Sequence, residues 1–437
     1  MNIMAQAERN VPQTKRSIWG LYFSLPVLSW ALYDFANTIF SSNIITIFFP
    51  FYLQETIGGN EQLNQIASTF ISYANAAASL LLVLFSPLFG VLIDRTGRKK
   101  RYIVPFTLIC VAATILMGLL ASSNLQQEWF GLPASLLLVI LLFVIAKFFY
   151  HSSLIFYDTM LADLGTKEDI PLISGFGVAV GYIGTLAGLS IYPFIGDSGF
   201  HQAFIPTALL FLVFSLPLMI VGREHTPSVP SEKKSFISGY RDILATFKEA
   251  KQHRTVLLFM IVYFFLNDAI ATAIAMMAVY ASAIVGFSAG QFILLYLAST
   301  VASIIGSFIF GYVTKSIGAQ KAVHLVGVIL LIALSIGTFA VNEAMFWVAG
   351  SLFGVSLGAV WVTSRTFIIQ VTPEEKRGQF FGLFAFSGKV SAIVGPFIYG
   401  TITLLLADYG NIASRTALGS LMVLVLIGLL VHRRIRL

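Results

Sequence analysis

Twelve apolar runs divide this chain, at 27–53, 65–93, 102–122, 134–162, 172–196, 203–221, 255–284, 290–313, 322–341, 345–370, 379–407 and 413–432. About twenty apolar residues cross the hydrocarbon of a bilayer. Inside it every backbone N–H and C=O needs an internal partner, which leaves only helices or a closed barrel. Runs of this length read as helices, and those longer than the minimum imply tilt or helix that continues past the lipid. The expected fold is an all-α integral membrane protein with twelve transmembrane helices. Composition agrees: 57% of the 437 residues are hydrophobic and 11% are charged, against about 25% charged in a soluble domain.

The charges sort by side. All but four of the 27 Lys and Arg residues fall in the two tails and in alternate loops, with five packed into Arg95, Arg98, Lys99, Lys100 and Arg101. Opposite loops such as QETIGGNEQLN and SSNLQQEWFGLP hold none. The positive-inside rule then places both termini in the cytoplasm. A missed helix would scramble this pattern, so the sorting also checks the span count. The net charge of +7 follows from topology and headgroup attraction, and no nucleic-acid partner is expected. The single cysteine, Cys110, lies in an apolar run, so no internal disulfide can form. The first apolar run is too long for a signal-peptide core and stays as a span. No Asn-x-Ser/Thr site occurs, which favours a bacterial inner membrane, with a vacuolar membrane the expectation if the source is eukaryotic.

The longest loop separates six spans from six. The expected organisation is an N-terminal six-helix bundle over 1–221, a cytoplasmic linker over 222–254 and a C-terminal six-helix bundle over 255–437. Within the linker Phe236, Tyr240, Ile243 and Phe247 recur at helical spacing between basic residues. That pattern fits an amphipathic helix on the inner leaflet or a solvated linker helix. A faint repeat relates the halves. GVLIDRTGRKK (Gly90–Lys100) follows the second span and GYVTKSIGAQK (Gly311–Lys321) the eighth, while Asp34 and Thr38 match Asp268 and Thr272 at one constant offset. Parallel six-span repeats with a site between them are a transporter architecture.

The first of these loops resembles the signature loop of the major facilitator superfamily: Gly90, three apolar residues, Asp94, Arg95, a free position, Gly97, Arg98, then Lys99 and Lys100. The glycines suit a tight reversal, and the carboxylate can cap or pair across an inner gate. More narrowly, the chain resembles the vacuole-effluxer-like branch, the autophagy-related vacuolar amino-acid effluxers and their bacterial homologues. The likeness rests on Trp30-Ala-Leu-Tyr33-Asp34-Phe-Ala36-Asn37, Ser174-Gly175-Phe-Gly177, Gly181-Tyr182-Ile-Gly184, Ser364-Arg365, Phe380-Phe381-Gly382-Leu383, Lys389 and Gly395-Pro396. Phe35 stands where the family tends to have Trp, and Asp158 where an amide is usual. The resemblance implies the major facilitator fold and solute export or release, with amino acids among the candidate solutes.

Six ionisable residues lie well inside predicted spans: Asp34, Asp158 and Asp268 against Lys147, Arg365 and Lys389. Each costs about 2.5–3.5 kcal/mol near a helix centre, so the set must pair or face water. At about 1.5 Å per residue, Asp34, Asp158, Arg365 and Lys389 fall in or near the cytoplasmic half, and Lys147 and Asp268 near the middle. Lys147, His151 and Asp158 share one helix face, as do Trp361 and Arg365. A salt-bridge network at the inner mouth is one expectation; in it Arg365 and Lys389 either neutralise Asp34 and Asp158 or touch the solute. Three acids against three bases suit a zwitterion. Asp34 or Asp268 is a candidate proton carrier, and His151 either relays protons or packs as a hydrogen-bonded side chain. Asn37, Asn75 and Asn267 tie helices together or hydrate the cavity. The series Gly175, Gly177, Gly181, Gly184 and Gly188 permits close helix contact.

Gly286-Phe-Ser288-Ala-Gly290 fits a nucleophile-elbow pattern, but it sits between two spans with no strand before it. Ser288 with Gln291 reads instead as a capping box. No HExxH, cysteine cluster or GxxxxGK[ST] occurs, so no metal, cofactor or enzymatic activity is expected. The expected function is secondary transport of a small polar or zwitterionic solute by a monomer, coupled to protons. The alternative is a transporter-shaped receptor or scaffold that binds without moving its ligand.

Overall fold

The computed structural model describes residues 18–96, 98–123, 127–129, 132–160, 163–165, 170–196, 198–222, 240–241, 244–245, 248, 251–371 and 377–435. Within these it excludes the side chains of Ile18, Pro87, Gly90, Val91, Ile93–Thr96, Thr159, Ile170, Pro171, Leu172, Ser174, Gly175, Val178, Ala179, Phe308, Gly311, Tyr312, Lys315, Arg365, Ile369, 377–383 and Ala385. After a short turn at Ile18–Tyr22 the chain forms twelve long helices. The first half holds α1 (Leu25–Ile57), α2 (Glu61–Thr96), α3 (Lys100–Ala121), α4 (Ala134–Met160), α5 (Ile170–Leu189) and α6 (Phe204–Val221). The second holds α7 (Arg254–Val285), α8 (Ala289–Ile317), α9 (Ala319–Thr338), α10 (Glu343–Val371), α11 (Arg377–Leu405) and α12 (Asn411–His432). Eleven helices among the described residues are long and apolar enough to cross a membrane. The twelfth predicted span is α5, of 20 residues. The protein is thus an all-α membrane protein, relieved among the described residues only by a two-residue antiparallel ladder, Glu128–Trp129 with Leu132–Pro133.

Helix packing repeats between the halves. In the first half α1 packs on α5 and α6, α3 on α4 and α6, and α2 on α4. In the second, α7 packs on α11 and α12, α9 on α10 and α12, and α8 on α10. Each partner is displaced by six, so the short sequence repeats mark a structural repeat of two six-helix bundles. The bundles meet mainly where α2 runs along α11 and α7, while α5 touches α8 only lightly.

α1 is one helix with a π-helical stretch at Ser41–Phe48. Pro50 supplies the cause: it has no N–H for the carbonyl of Thr46 and its ring crowds that turn, so the ladder widens. Thr46 Oγ1 donates to Ser41 O five residues back, at 3.1 Å. The widened turn aims Asn43 inward, where Nδ2 donates to Gly188 O at 2.8 Å and Thr207 Oγ1 at 3.1 Å, tying α1 to α5 and α6. Closer to its start, α1 lies in the glycine face of α5. Thr38 Oγ1 donates to Gly181 O at 2.5 Å, and a Cβ on Gly184 would collide with the carbonyl of Phe35.

The Ser288–Gln291 capping box forms as read, with Gln291 N donating to Ser288 Oγ at 3.2 Å and Ser288 N to Gln291 Oε1 at 3.0 Å. Ser288 therefore starts α8. Of the proposed linker helix, Phe236, Ile243 and Phe247 lie outside the described residues. Tyr240 is helical, exposed, and donates its hydroxyl to Leu84 O of α2.

Candidate functional site

Asp34 sits half-buried on α1 within an aromatic frame. Trp30 and Tyr157 of α4 stack with centroids 4.8 Å apart. Each donates to the other's backbone carbonyl, Trp30 Nε1 at 3.3 Å and Tyr157 OH at 3.1 Å. Tyr33 shares a hydrogen bond with Thr107 at 2.6 Å, and Tyr150 OH donates to Asn37 O at 3.2 Å. These bonds hold α1 against α3 and α4 and fix where Asp34 points. Its charged neighbour is Asp158, which is exposed near the end of α4.

Lys147 lies deeper on α4, buried, with Nζ donating to Asn75 Oδ1, while Asn75 Nδ2 donates to Ile71 O at 2.8 Å. Its neighbour one turn on, His151, packs against the Tyr150 ring and lies within electrostatic reach of both Lys147 and Lys389. Lys389 comes from α11 and also acts on Asp158. The structure thus brings Lys389 of one half to Asp158 and His151 of the other. Among the described residues neither Asp34 nor Lys147 has an oppositely charged partner; the amide of Asn75 holds Lys147 instead.

The remaining expected residues separate by role. Asn37 is buried with neither side-chain atom hydrogen-bonded. Asn267 Nδ2 donates to Gly388 O at 2.9 Å and Ser391 Oγ at 2.8 Å, joining α7 to α11. Asp268 is wholly buried, with Oδ1 accepting from Gly395 N at 2.7 Å. Trp361 is 42% exposed on α10. The side chain of Arg365 lies outside the described residues, as do the side chains of Gly90, Asp94 and Arg95 and the whole of Gly97. Arg98 lies just before the start of α3.

Sequence reasoning missed three features. Lys99 pairs with Asp163 at 2.6 Å, clamping the α2–α3 loop to the segment after α4; the cue was an acid just past α4 facing a basic loop. Next, hydrogen bonds between the halves gather at the face opposite the basic loops. Gln54 donates to Ser282 Oγ at 3.1 Å, Gln62 to Asp408 at 2.6 Å and Ser414 to Gln65 at 3.0 Å, while Thr69 and Thr403 share a bond at 2.9 Å. Phe51 meets Phe292 edge-on nearby. Polar side chains, with Asp408 the one carboxylate named among them, seal that face, and no periodicity announces them. Lastly, a cavity with about 880 Å³ of atom-free space, counting its open mouth, lies between α5 and the second bundle. Tyr182, Thr185, Tyr296 and Ser303 line it with hydroxyls, Met277 and Phe353 with apolar surface.

Two six-helix bundles related by a parallel repeat, charged groups between them and one sealed face define a transporter of the major facilitator type. Solved structures agree on the fold. A point mutant of the nucleoside transporter NupG aligns with a TM-score of 0.73 at 13% identity, covering 94% of this chain and 100% of that one. A bacterial homologue of the human lysosomal transporter Spinster, in an inward-facing and unoccupied conformation, aligns at 0.69 and 13% identity over 93% and 96%. The profile described as "Vacuole effluxer Atg22 like" matches residues 26–436, and the chain belongs to that family. The MFS-type transporter YxiO of Bacillus subtilis, itself uncharacterised, is 25% identical over 415 residues, 92% of this chain and 93% of that protein. Autophagy-related protein 22-1 of Aspergillus niger is 24% identical over 303 residues, 62% of this chain but 48% of that longer protein. The protein is a multi-pass membrane transporter.

Proposed function

We propose that the protein moves a small polar or zwitterionic, amino-acid-like solute by alternating access, coupled to protons and in the direction of export. One observation carries this reading: Lys147 and Asp34, of opposite charge and without oppositely charged partners among the described residues, flank a centre to which Lys389 comes from the other bundle. Unpaired charges at membrane depth are costly, and a solute with both an ammonium and a carboxylate offsets both costs at once. The kinship with autophagy-related protein 22 and with vacuole effluxers supports release of such a solute. The sealed face lies opposite the basic loops, so with both termini cytoplasmic this conformation opens inward, toward exposed Asp158. We place the working units at 1–221 and 255–437, joined by 222–254, and the active form as a monomer in a bacterial inner membrane.

A thermal-shift panel of amino acids, dipeptides and nucleosides on purified protein selects ligands. Proteoliposomes loaded with a pH-sensitive dye then receive each hit. Solute flux with movement of protons supports the reading. Saturable binding with no flux makes the protein a receptor, and flux restricted to nucleosides removes the zwitterion.

A further inference from the structure

The repeat places the same three residue types in each half: Asp34, Thr38 and Gly181 across α1 and α5, and Asp268, Thr272 and Gly395 across α7 and α11. The two sets differ in exposure. Asp34 is half-open, and the Thr38 hydroxyl donates a hydrogen bond to Gly181 O. Asp268 and Thr272 are both fully buried. Oδ1 of Asp268 accepts from the N–H of Gly395, the residue before Pro396, but among the described residues Asp268 Oδ2 and Thr272 Oγ1 have no hydrogen-bond partner. No water-sized molecule reaches either atom.

We propose that Asp268 is the coupling-proton site, occupied in this conformation and emptied when the far face opens. It rests on the alternating-access reading above. An ionised carboxylate held by one N–H and, among the described residues, no cation strands charge in a low dielectric; a proton on Oδ2 removes the charge. The packing favours a proton over a metal ion, since even a Cβ on Gly395 would overlap Thr272 Oγ1 and Asp268 Oδ1.

Charged groups on the packed elements are engaged elsewhere. Lys389 of α11 faces Asp158 and His151, and Arg415 of α12 donates to the carbonyls of Thr338 and Ala340. His432 of α12 meets His324, and on α2 Glu61 lies against Gly410 at the far end. Asp34 of α1 faces Asp158. On α10 and α8 the side chains of Arg365 and Lys315 are outside the description, and Glu343 of α10 accepts from Gln291 at the far face. Among the described residues only the Gly395 N–H and the nearby Thr272 hydroxyl, which lies beside the carboxylate without hydrogen-bond geometry, act on Asp268.

The seal itself guards the site. α2 covers the α7–α11 seam through Ser72 against Met276, Tyr73 stacked on Phe397 and the bond between Tyr73 and Thr401. When α2 lifts, water enters from the far side, the O–H bond of Asp268 breaks, and the proton passes to water to leave a solvated carboxylate. Closing requires the reverse.

The test needs no solute. Spin labels at Ser198→Cys and Val341→Cys, exposed in far-face loops of opposite halves, report sealed and open populations by distance; Cys110 is buried. For one proton bound only in the sealed state, the sealed-to-open ratio falls by up to about tenfold per pH unit above the carboxyl's water-exposed range, and is flat below it. Asp268→Asn, a mimic of the protonated acid, should stay sealed at every pH. In the sealed Asp34→Asn protein a protonated-carboxyl infrared band should persist at neutral pH, which keeps the test open if Asp268→Asn does not fold. The proposal is overturned if Asp268→Asn keeps the wild-type pH dependence, if that band is missing, or if sodium at fixed pH drives sealing. Labels that never change distance under any condition overturn the alternating-access reading as well.

Discussion

Gly184 and Gly181 lie one turn apart on the same face of α5, yet alanine at each should behave differently. At Gly181 the added methyl would sit 2.9 Å from Asp34 Oδ2, the tip of a side chain that can swing aside. At Gly184 it would strike the backbone of Phe35, with the carbonyl carbon at 2.9 Å, and also Thr38 Oγ1. Ordinary contact begins near 3.4 Å and the Phe35 carbonyl oxygen lies closer still than the carbon, so α1 and α5 must part by about an ångström, a gap that forfeits about half of each dispersion well it opens. Overpacking of this kind costs about 1–3 kcal/mol. Loss of the Thr38–Gly181 bond adds about 0.6 kcal/mol, the average for such bonds in membranes. Both variants gain the same helix propensity, about 1 kcal/mol, which cancels between them. Gly184→Ala should therefore be less stable than Gly181→Ala by about 1.5–3.5 kcal/mol, read from unfolding midpoints in a mixed-micelle denaturant titration. Equal midpoints for the two variants would refute the close-packed account of α1 and α5.

Three further outcomes follow from the site. Lys147→Met replaces a buried cation with an apolar chain but leaves Asn75 Oδ1 without its donor, at a cost of about 1–3 kcal/mol; desolvation relief offsets that, so the thermal midpoint should hold while solute flux in proteoliposomes is lost. Asp34→Asn should reduce proton-coupled flux more than protein abundance, and parallel loss of both would assign Asp34 to structure alone. Lys99→Gln and Asp163→Asn each break one partly buried pair, with side chains 11% and 14% exposed. Each leaves the other charge largely buried and unpaired, so each should cost more than an exposed pair, about 1 kcal/mol, and up to about 3–5 kcal/mol; the double charge swap Lys99→Asp with Asp163→Lys should restore the turnover lost in either single variant.

The spans were legible because hydrocarbon imposes one rule on every residue within it, and the six-plus-six division because basic residues keep to one side. The correspondence of Asp34 with Asp268 was also readable, since a repeat preserves spacing. What each carboxylate meets was not. Nothing near Asp268 in the sequence says that Gly395, well over a hundred residues away, closes on it, while Asp34 meets the equivalent Gly181 and stays half-open. The polar seal was hidden for a similar reason. Gln54, Gln62, Gln65 and Thr69 look like ordinary helix-end residues until Ser282, Asp408, Ser414 and Thr403 arrive from the other half. A cation satisfied by Asn75 was likewise unreadable, because charge counting pairs acids with bases and overlooks amides.

The two seams between the bundles are unequal: α2 lies along α11 for much of its length, and α5 barely meets α8. When α2 lifts from α11 and α7 the broad seam parts, and the narrow α5–α8 contact is left as the pivot, with the Tyr182 and Ser303 hydroxyls, 3.5 Å apart, as its pin.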